Sequence, residues 1–335
     1  MRIGSRRPRS RHERRRARPL IARWLGALAG TILLALLPVL LGFQPYALYL
    51  LASAFLWASV ASAWNLLAYA GQISFGHAAF FGLGAYAGAL SSLAGLSPWG
   101  AVLLGGLAGA GGAALIGLAS QRLRGAYLAL ATLAYAEVCR GIVLNWSDVT
   151  GGGAGLIGIP ALPVMAWLPA PVTRGRAAGY YAALAILLAV LVVFAFVLRS
   201  RVGLAWAALR EEEERASVLG LRPLPWKLLA FALSGAFTGL GGALYAHVVR
   251  VVEPDLVFNR YYSILPLVMA TVGGLHTLLG PAAAAVGLFL LSELVLHPID
   301  PALNQLGYAL ALILVVLYWP GGLMGLLRRR RRVHP

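Results

Sequence analysis

Residues with catalytic or ligating chemistry are few and scattered in this 335-residue chain. His77, His247, His276 and His297 fall in separate apolar runs, with neither the close spacing nor the HExxH pattern of a metal site. The single cysteine, Cys139, lies in an apolar run, which rules out a disulfide framework and a cysteine-based metal site. No serine stands beside a base in a way that points to an activated nucleophile. The one lysine, Lys227, follows Pro-Leu-Pro-Trp, so the GxxxxGK[ST] loop that cradles phosphates is missing. Gly109-Ala110-Gly111 fails the dinucleotide fingerprint, since Ala114 stands where its last glycine belongs and no strand precedes it; helix packing is the better reading. We therefore expect no catalytic residue, no metal and no cofactor bound by this chain. If the system it serves consumes ATP, another chain hydrolyses it.

The polar residues inside apolar runs are few enough to weigh singly. Glu137 and Arg140 stand one helical turn apart and can neutralise each other, which matters where a bare charge costs about 2.5–3.5 kcal/mol at a membrane centre. Glu293 and His297 form a second pair at helical spacing. Asn65, Gln72, Ser74 and His77 gather around Gly71 and Gly76, uncharged hydrogen-bonding groups beside flexible backbone. A path for a small polar solute needs such groups, and so do contacts between neighbouring helices; the residues alone leave both open.

These side chains must be positioned by membrane spans. With 60% hydrophobic and 12% charged residues, the chain is a polytopic, all-α integral membrane protein without a soluble domain. Apolar runs near 24–42, 46–69, 73–94, 99–120, 125–145, 178–198, 227–249, 261–277, 279–297 and 304–325 predict about ten spans. The boundary near Gly71 and the break at 276–281 are open to a re-entrant reading, which gives a range of eight to ten. The first run is too long for a signal-peptide core and lacks a small-x-small cleavage site, so it reads as an uncleaved span. The net charge of +17 suggests nucleic acid in a soluble protein, but here its placement follows the membrane. Ten basic residues lie in residues 1–23, two at Arg122 and Arg124, six in 199–227 and five in 328–332, so that 23 of 28 share one side. By the positive-inside rule that side is the cytoplasm and both termini lie there. Residues 1–23 read as a disordered basic arm, 24–327 as the membrane domain and 328–335 as a basic tail beside anionic lipid. Small residues recur at four-residue spacing at Gly26/Gly30, Gly84/Gly88, Gly105/Gly109, Gly235/Gly239 and Gly321/Gly325, where helix backbones can approach closely.

The only long charged island is 199–227. Read at helical spacing, Ala205, Ala208, Leu209, Ala216 and Leu219 share one side, interrupted by Glu212, while Arg210, Glu211, Glu213 and Glu214 cover the rest. That predicts one short amphipathic helix, stopped by Gly220 and kept from the next span by Pro223 and Pro225. It is either a docking surface for a soluble partner or a solvated loop.

Several blocks together resemble one family. The run from Asn65 to Tyr86, NLLAYAGQISFGHAAFFGLGAY, is similar to the signature of the LivM-type permease subunits of branched-chain amino acid ABC transporters. RGAYLALATLA from Arg124, NWSDVTGGGAGLIGIP from Asn145, LREEEERASVLG from Leu209, KLLAFALSG from Lys227, the run 239–247 and GGLHTLLGP from Gly273 follow in the family's order. The likeness covers roughly residues 45–325.

The resemblance implies a permease of the bacterial inner (plasma) membrane. It would pair with a homologous LivH-type permease and dock two ABC ATPase subunits that carry ATP and Mg. A periplasmic or lipid-anchored binding protein would deliver a branched-chain or other hydrophobic amino acid. In that reading the island becomes the coupling helix, with Leu209, Arg210, Glu211, Glu213, Glu214, Ala216 and Gly220 facing the ATPase, although Arg215 stands where alanine is commoner. Asn65, Gly71, Gln72, Ser74, Gly76, His77, Glu137 and Arg140 become candidates for the translocation path. The outer loop 146–177, through Asp148, Thr150, Gly151 and Gly152, and the loop 251–262, through Asp255, are expected to meet the binding protein. Trp167 suits a turn at headgroup depth. A secondary transporter or channel for a small solute such as urea or an amide is the alternative, but it should keep paired intramembrane carboxylates, where Glu137 and Glu293 each have a basic neighbour instead, and it has little use for the island.

Overall fold

The structure, a computed structural model, describes residues 29–163, 177–296, 298–299, 303–318 and 321–325. The basic arm, most of the 164–177 loop with Trp167, His297 and the 328–335 tail lie outside the described residues.

Fourteen helices and one two-residue ladder follow in chain order: α1 (Ala29–Leu40), α2 (Pro45–Tyr69), α3 (His77–Leu93), α4 (Pro98–Ala119), α5 (Gly125–Asn145), α6 (Ser147–Thr150), β1 (Leu156–Ile157), α7 (Ala177–Arg199), α8 (Arg201–Glu211), α9 (Glu213–Val218), α10 (Pro223–Val249), β2 (Val251–Val252), α11 (Pro254–Val257), α12 (Tyr261–Gly273), α13 (Gly280–Leu291) and α14 (Leu303–Tyr318). α2, α4, α5, α7 and α10 are long and apolar enough to cross a membrane, at 21 residues or more each. α1, α13 with the π turn Ser292–Leu296 behind it, and the middle of α14 are shorter apolar helices. The class is the expected one, with β1 and β2 pairing antiparallel only as Leu156 with Val252 and Ile157 with Val251.

α2 and α10 form the core, and α3, α4, α7, α12 and α13 pack around them. Proline opens α2, α4 and α10 within their first turns, where the missing N–H has no intrahelical partner to lose. Pro223 and Pro225 were expected to separate the island from the next span; instead they start α10. The seam between α3, α4 and α10 is made of glycine. A methyl at Gly84 would strike the Gly239 backbone, one at Gly109 the Gly235 and Gly239 backbones, and one at Gly88 the Ala243 side chain. Three of the expected small-residue pairs thus meet one another, and close backbone contact supplies the van der Waals attraction that lipid cannot.

Two helix pairs are interrupted by glycine-rich breaks. Residues 70–76 separate α2 from α3, with Gly71 at φ 78°, and 274–279 separate α12 from α13, with Gly274 at φ 109° and His276 at φ 63°. α12, at 13 residues, is about 20 Å long by helical rise, short for a bilayer.

Candidate functional site

The charged island folds as two helices, not one. Glu212 adopts extended backbone, φ −159° and ψ 103°, and turns the chain between α8 and α9. The turn undoes the expected single apolar face: Ala205, Leu209 and Ala216 are buried, whereas Ala208 and Leu219 are exposed. α9 ends in a Schellman motif. The Gly220 N–H donates to the Ser217 carbonyl at 3.0 Å and the Leu221 N–H to the Ala216 carbonyl at 3.1 Å, with Gly220 at φ 89° as its left-handed residue.

Two anchors hold this unit to the spans. Trp206, fully buried on α8, donates its indole N–H to the Trp226 carbonyl at the start of α10, 2.9 Å away. On α9, Glu213 turns inward, with its side chain 14% exposed, and meets Lys227 at 2.7 Å and Arg124 at 3.1 Å. Lys227 is itself 3% exposed and also donates to the Gln121 carbonyl at 3.3 Å. Arg124 reaches Glu214 at 3.0 Å, and Arg215 pairs with Glu212 at 2.9 Å. The network ties α9 to the start of α5 and the start of α10.

The seven residues expected to face an ATPase therefore divide. Leu209 and Ala216 pack inward, Glu213 is spent on Lys227 and Arg124, and Arg210 lies over the Tyr69 ring with its guanidinium carbon 4.9 Å from the ring centre. Glu211, Glu214 and Gly220 face outward. Beside them Val218 and Leu219 are 88% and 87% exposed, the most exposed large apolar side chains among the described residues. Sequence reasoning placed Leu219 on the apolar side and did not single out Val218, nor the anchoring part of Trp206 and Arg124. A lone lysine opening an apolar span close behind a run of glutamates was the available signal for Lys227. A cleft of about 380 Å³ runs between 209–214, Arg124–Leu128 and Gly71–Gln72.

The polar residues of the first break are mostly satisfied from within. His77 Nε2 and Ser234 Oγ lie 2.9 Å apart, and the Ser234 hydroxyl donates to the Ala63 carbonyl at 2.8 Å. The Gly76 N–H donates to Ser74 Oγ at 3.0 Å, Trp64 Nε1 donates to the Ser74 carbonyl at 2.9 Å, and the Phe75 N–H donates to Thr132 Oγ1 at 3.0 Å. Asn65, Ser74 and His77 are fully buried and Gln72 nearly so, while Gly71 is exposed at the cleft. His77 and Asn65 bond to other elements of the chain, whereas the Ser74 hydroxyl bonds within its own break.

At the opposite end, Glu137 and Arg140 do pair, at 3.5 Å, but each has a shorter partner. Arg140 meets Asp255 at 2.5 Å and Arg260 meets Glu137 at 2.7 Å, so the C-terminal half of α5 is bolted to the 253–260 segment. These groups, with Phe258 and Asn259, line a cleft of about 340 Å³. Asp148 is exposed, but Thr150 is buried, its hydroxyl within reach of the Val143 and Trp146 carbonyls at 2.6 and 2.8 Å. Gly151 and Gly152, at φ 74° and 56°, shape the turn that Thr150 caps. His247 and Arg250 fasten the end of α10 to the Pro160 and Ile159 carbonyls. Among the described residues no three His, Cys, Asp or Glu come together as a metal site. These ion pairs and hydrogen bonds hold the ends of α5 and α10 to the neighbouring loops.

The profile of the family described as "Branched-chain amino acid transport system / permease component" matches residues 46–318. The high-affinity branched-chain amino acid transport system permease protein LivM of Salmonella typhimurium is 33% identical over 279 residues, covering 77% of this chain and 65% of that protein. Its namesake in Escherichia coli is 32% identical over 280 residues, with the same coverage. The chain thus spans about two thirds of the length of both relatives. No solved structure matches it. With the profile spanning both glycine breaks, the α8–α9 unit and the glycine seam, this chain belongs to the branched-chain amino acid transport system permease family.

Proposed function

We propose that this chain is the membrane permease subunit of an ATP-driven importer for branched-chain or other hydrophobic amino acids, moved by ATPase subunits it does not itself contain. The observation that carries this reading is the α8–α9 unit. It is anchored to the spans by Trp206 and the Glu213–Lys227 pair, yet it exposes Glu211, Glu214, Val218 and Leu219. A solvated loop has no need of a buried ion pair, whereas a lever must be rigid at its base and sticky at its tip. The likeness to the two LivM proteins supports the substrate class.

In this reading the α8–α9 end faces the cytoplasm and the β1–β2 end faces outward, where the binding protein delivers cargo near Asp148 and the 253–260 segment. The chain crosses the bilayer ten times, with α1, α3, α12, α13 and α14 adding to the five long helices, and both termini lie in the cytoplasm of a bacterial inner membrane. A homologous LivH-type permease completes the path, and the segment 199–227 acts as the coupling element between the basic arm 1–23 and tail 328–335. ATP closes the ATPase dimer, α8–α9 shifts with it, and the spans exchange inward and outward access.

Reconstitution in liposomes with the second permease, the ATPases and the binding protein tests it. ATP-dependent uptake of labelled leucine that disappears without the ATPases is the expected result. Uptake by this chain alone under an ion gradient would overturn it in favour of a secondary transporter.

A further inference from the structure

The two glycine breaks are 203 residues apart from Gly71 to Gly274, yet the second is tied by one side chain to the end of α2, the helix that leads into the first. Asn65, fully buried near the end of α2, accepts the His276 N–H on Oδ1 at 2.8 Å and donates from Nδ2 to the Thr277 carbonyl at 2.9 Å. Both polar ends of its amide are thus used on the other break. His276 needs that hold, because its φ of 63° is a conformation that non-glycine residues rarely keep without support.

α8 reaches the same point. The Arg210 guanidinium lies over one region of the Tyr69 ring, 4.9 Å from its centre, and the same ring meets the His276 imidazole edge-on with 6.0 Å between ring centres. The Arg210 main chain also rests on the first break, close enough that a methyl at Gly71 would stand 2.9 Å from its Cα. Arg210 Nη1 is buried and finds no hydrogen-bond partner among the described residues. A guanidinium left short of partners in this way is held by stacking and shape, so the contact can slide or release at little cost in broken hydrogen bonds.

We infer that Arg210, Tyr69, His276 and Asn65 form a joint through which α8 moves both glycine breaks together. Arg210 is the contact from α8, Tyr69 sits between the breaks, and Asn65 keeps His276 in register with α2. All four are positioning residues. The inference rests on the proposed ATP-driven function: ATPase motion reaches α8, and the joint converts it into one concerted rearrangement of the α2–α3 and α12–α13 breaks, so that neither opens alone.

The test uses the full reconstituted transporter in a Cys139→Ser background, with Tyr69→Cys and His276→Cys bridged by a short, reducible bis-thiosulfonate linker. Because Asn65 already keeps His276 in register with α2, bridging is expected to leave leucine uptake within about twofold of that of the same double-cysteine transporter without linker. The single substitution Tyr69→Leu is expected to lower leucine imported per ATP by about fivefold or more, a ratio that a purely structural defect leaves unchanged because it removes both activities together. Bridged transporter importing at less than a tenth of the unbridged rate and recovering with reductant, or Tyr69→Leu lowering uptake and hydrolysis in equal proportion, would overturn the joint. Absence of ATP-dependent uptake in the Cys139→Ser transporter with Tyr69 and His276 intact would instead overturn the function on which the joint rests.

Discussion

The two ends of the molecule are both held by ion pairs, and the pairs differ in burial. At the α8–α9 end Lys227 is 3% exposed and Glu213 14%, whereas at the β1–β2 end Arg260 is 69% exposed and Asp255 67%. A buried pair is costly to break because either partner left alone is a stranded charge, while an exposed pair hands its charges back to water. One end is a fixed mount and the other a releasable catch. That division fits the proposed function, in which the α8–α9 end is pushed and the β1–β2 end admits solute.

Lys227→Met should have the largest effect on stability, about 3 kcal/mol or more, because Glu213 keeps only the half-exposed Arg124. Thermal unfolding in detergent checks this, and adding Glu213→Gln should recover most of the loss. Equal Tm values for Lys227→Met and Arg260→Ala would erase the contrast between the ends. Trp206→Phe keeps an aromatic ring but loses the bond to the Trp226 carbonyl and part of the buried indole volume, and should cost about 2 kcal/mol. At the other end, a double-mutant cycle between Arg140→Ala and Asp255→Ala should give a coupling of at most about 1 kcal/mol, shrinking as salt is raised. A salt-independent coupling would mean that this catch is as closed to water as the mount. The smallest change in stability, within about 0.5 kcal/mol, is expected for Val218→Ser with Leu219→Ser, since these side chains touch solvent. The same double variant should weaken binding of the ATPase subunits in pull-down from the assembled transporter.

Local pattern and spacing made much of this readable from sequence. The small-residue pairs at 84/88, 105/109 and 235/239 announced close helix contact and make it, and Gly220 announced the end of α9. The break at Glu212 was hidden because the apolar spacing runs on across it, and no glycine or proline marks it. Glu213 looked like its neighbours Glu211 and Glu214, and its inward turn depends on Lys227 and Arg124 arriving from other spans. Asn65 was singled out as polar in an apolar run, but its partners at 276 and 277 are over 200 residues away, and single-chain periodicity carries no information at that range. Likewise the helical spacing of Glu137 and Arg140 gave their mutual contact, while the shorter bonds to Arg260 and Asp255 came from the far side of the chain.

The glycine-lined meeting of α3, α4 and α10 has a practical consequence for following motion. Where main chain lies directly on main chain there are no rotamers to exchange, so the three helices behave as one stiff plate. Spectroscopic labels placed on two of them should keep a constant separation through a turnover, giving an internal ruler against which the travel of every other helix can be measured.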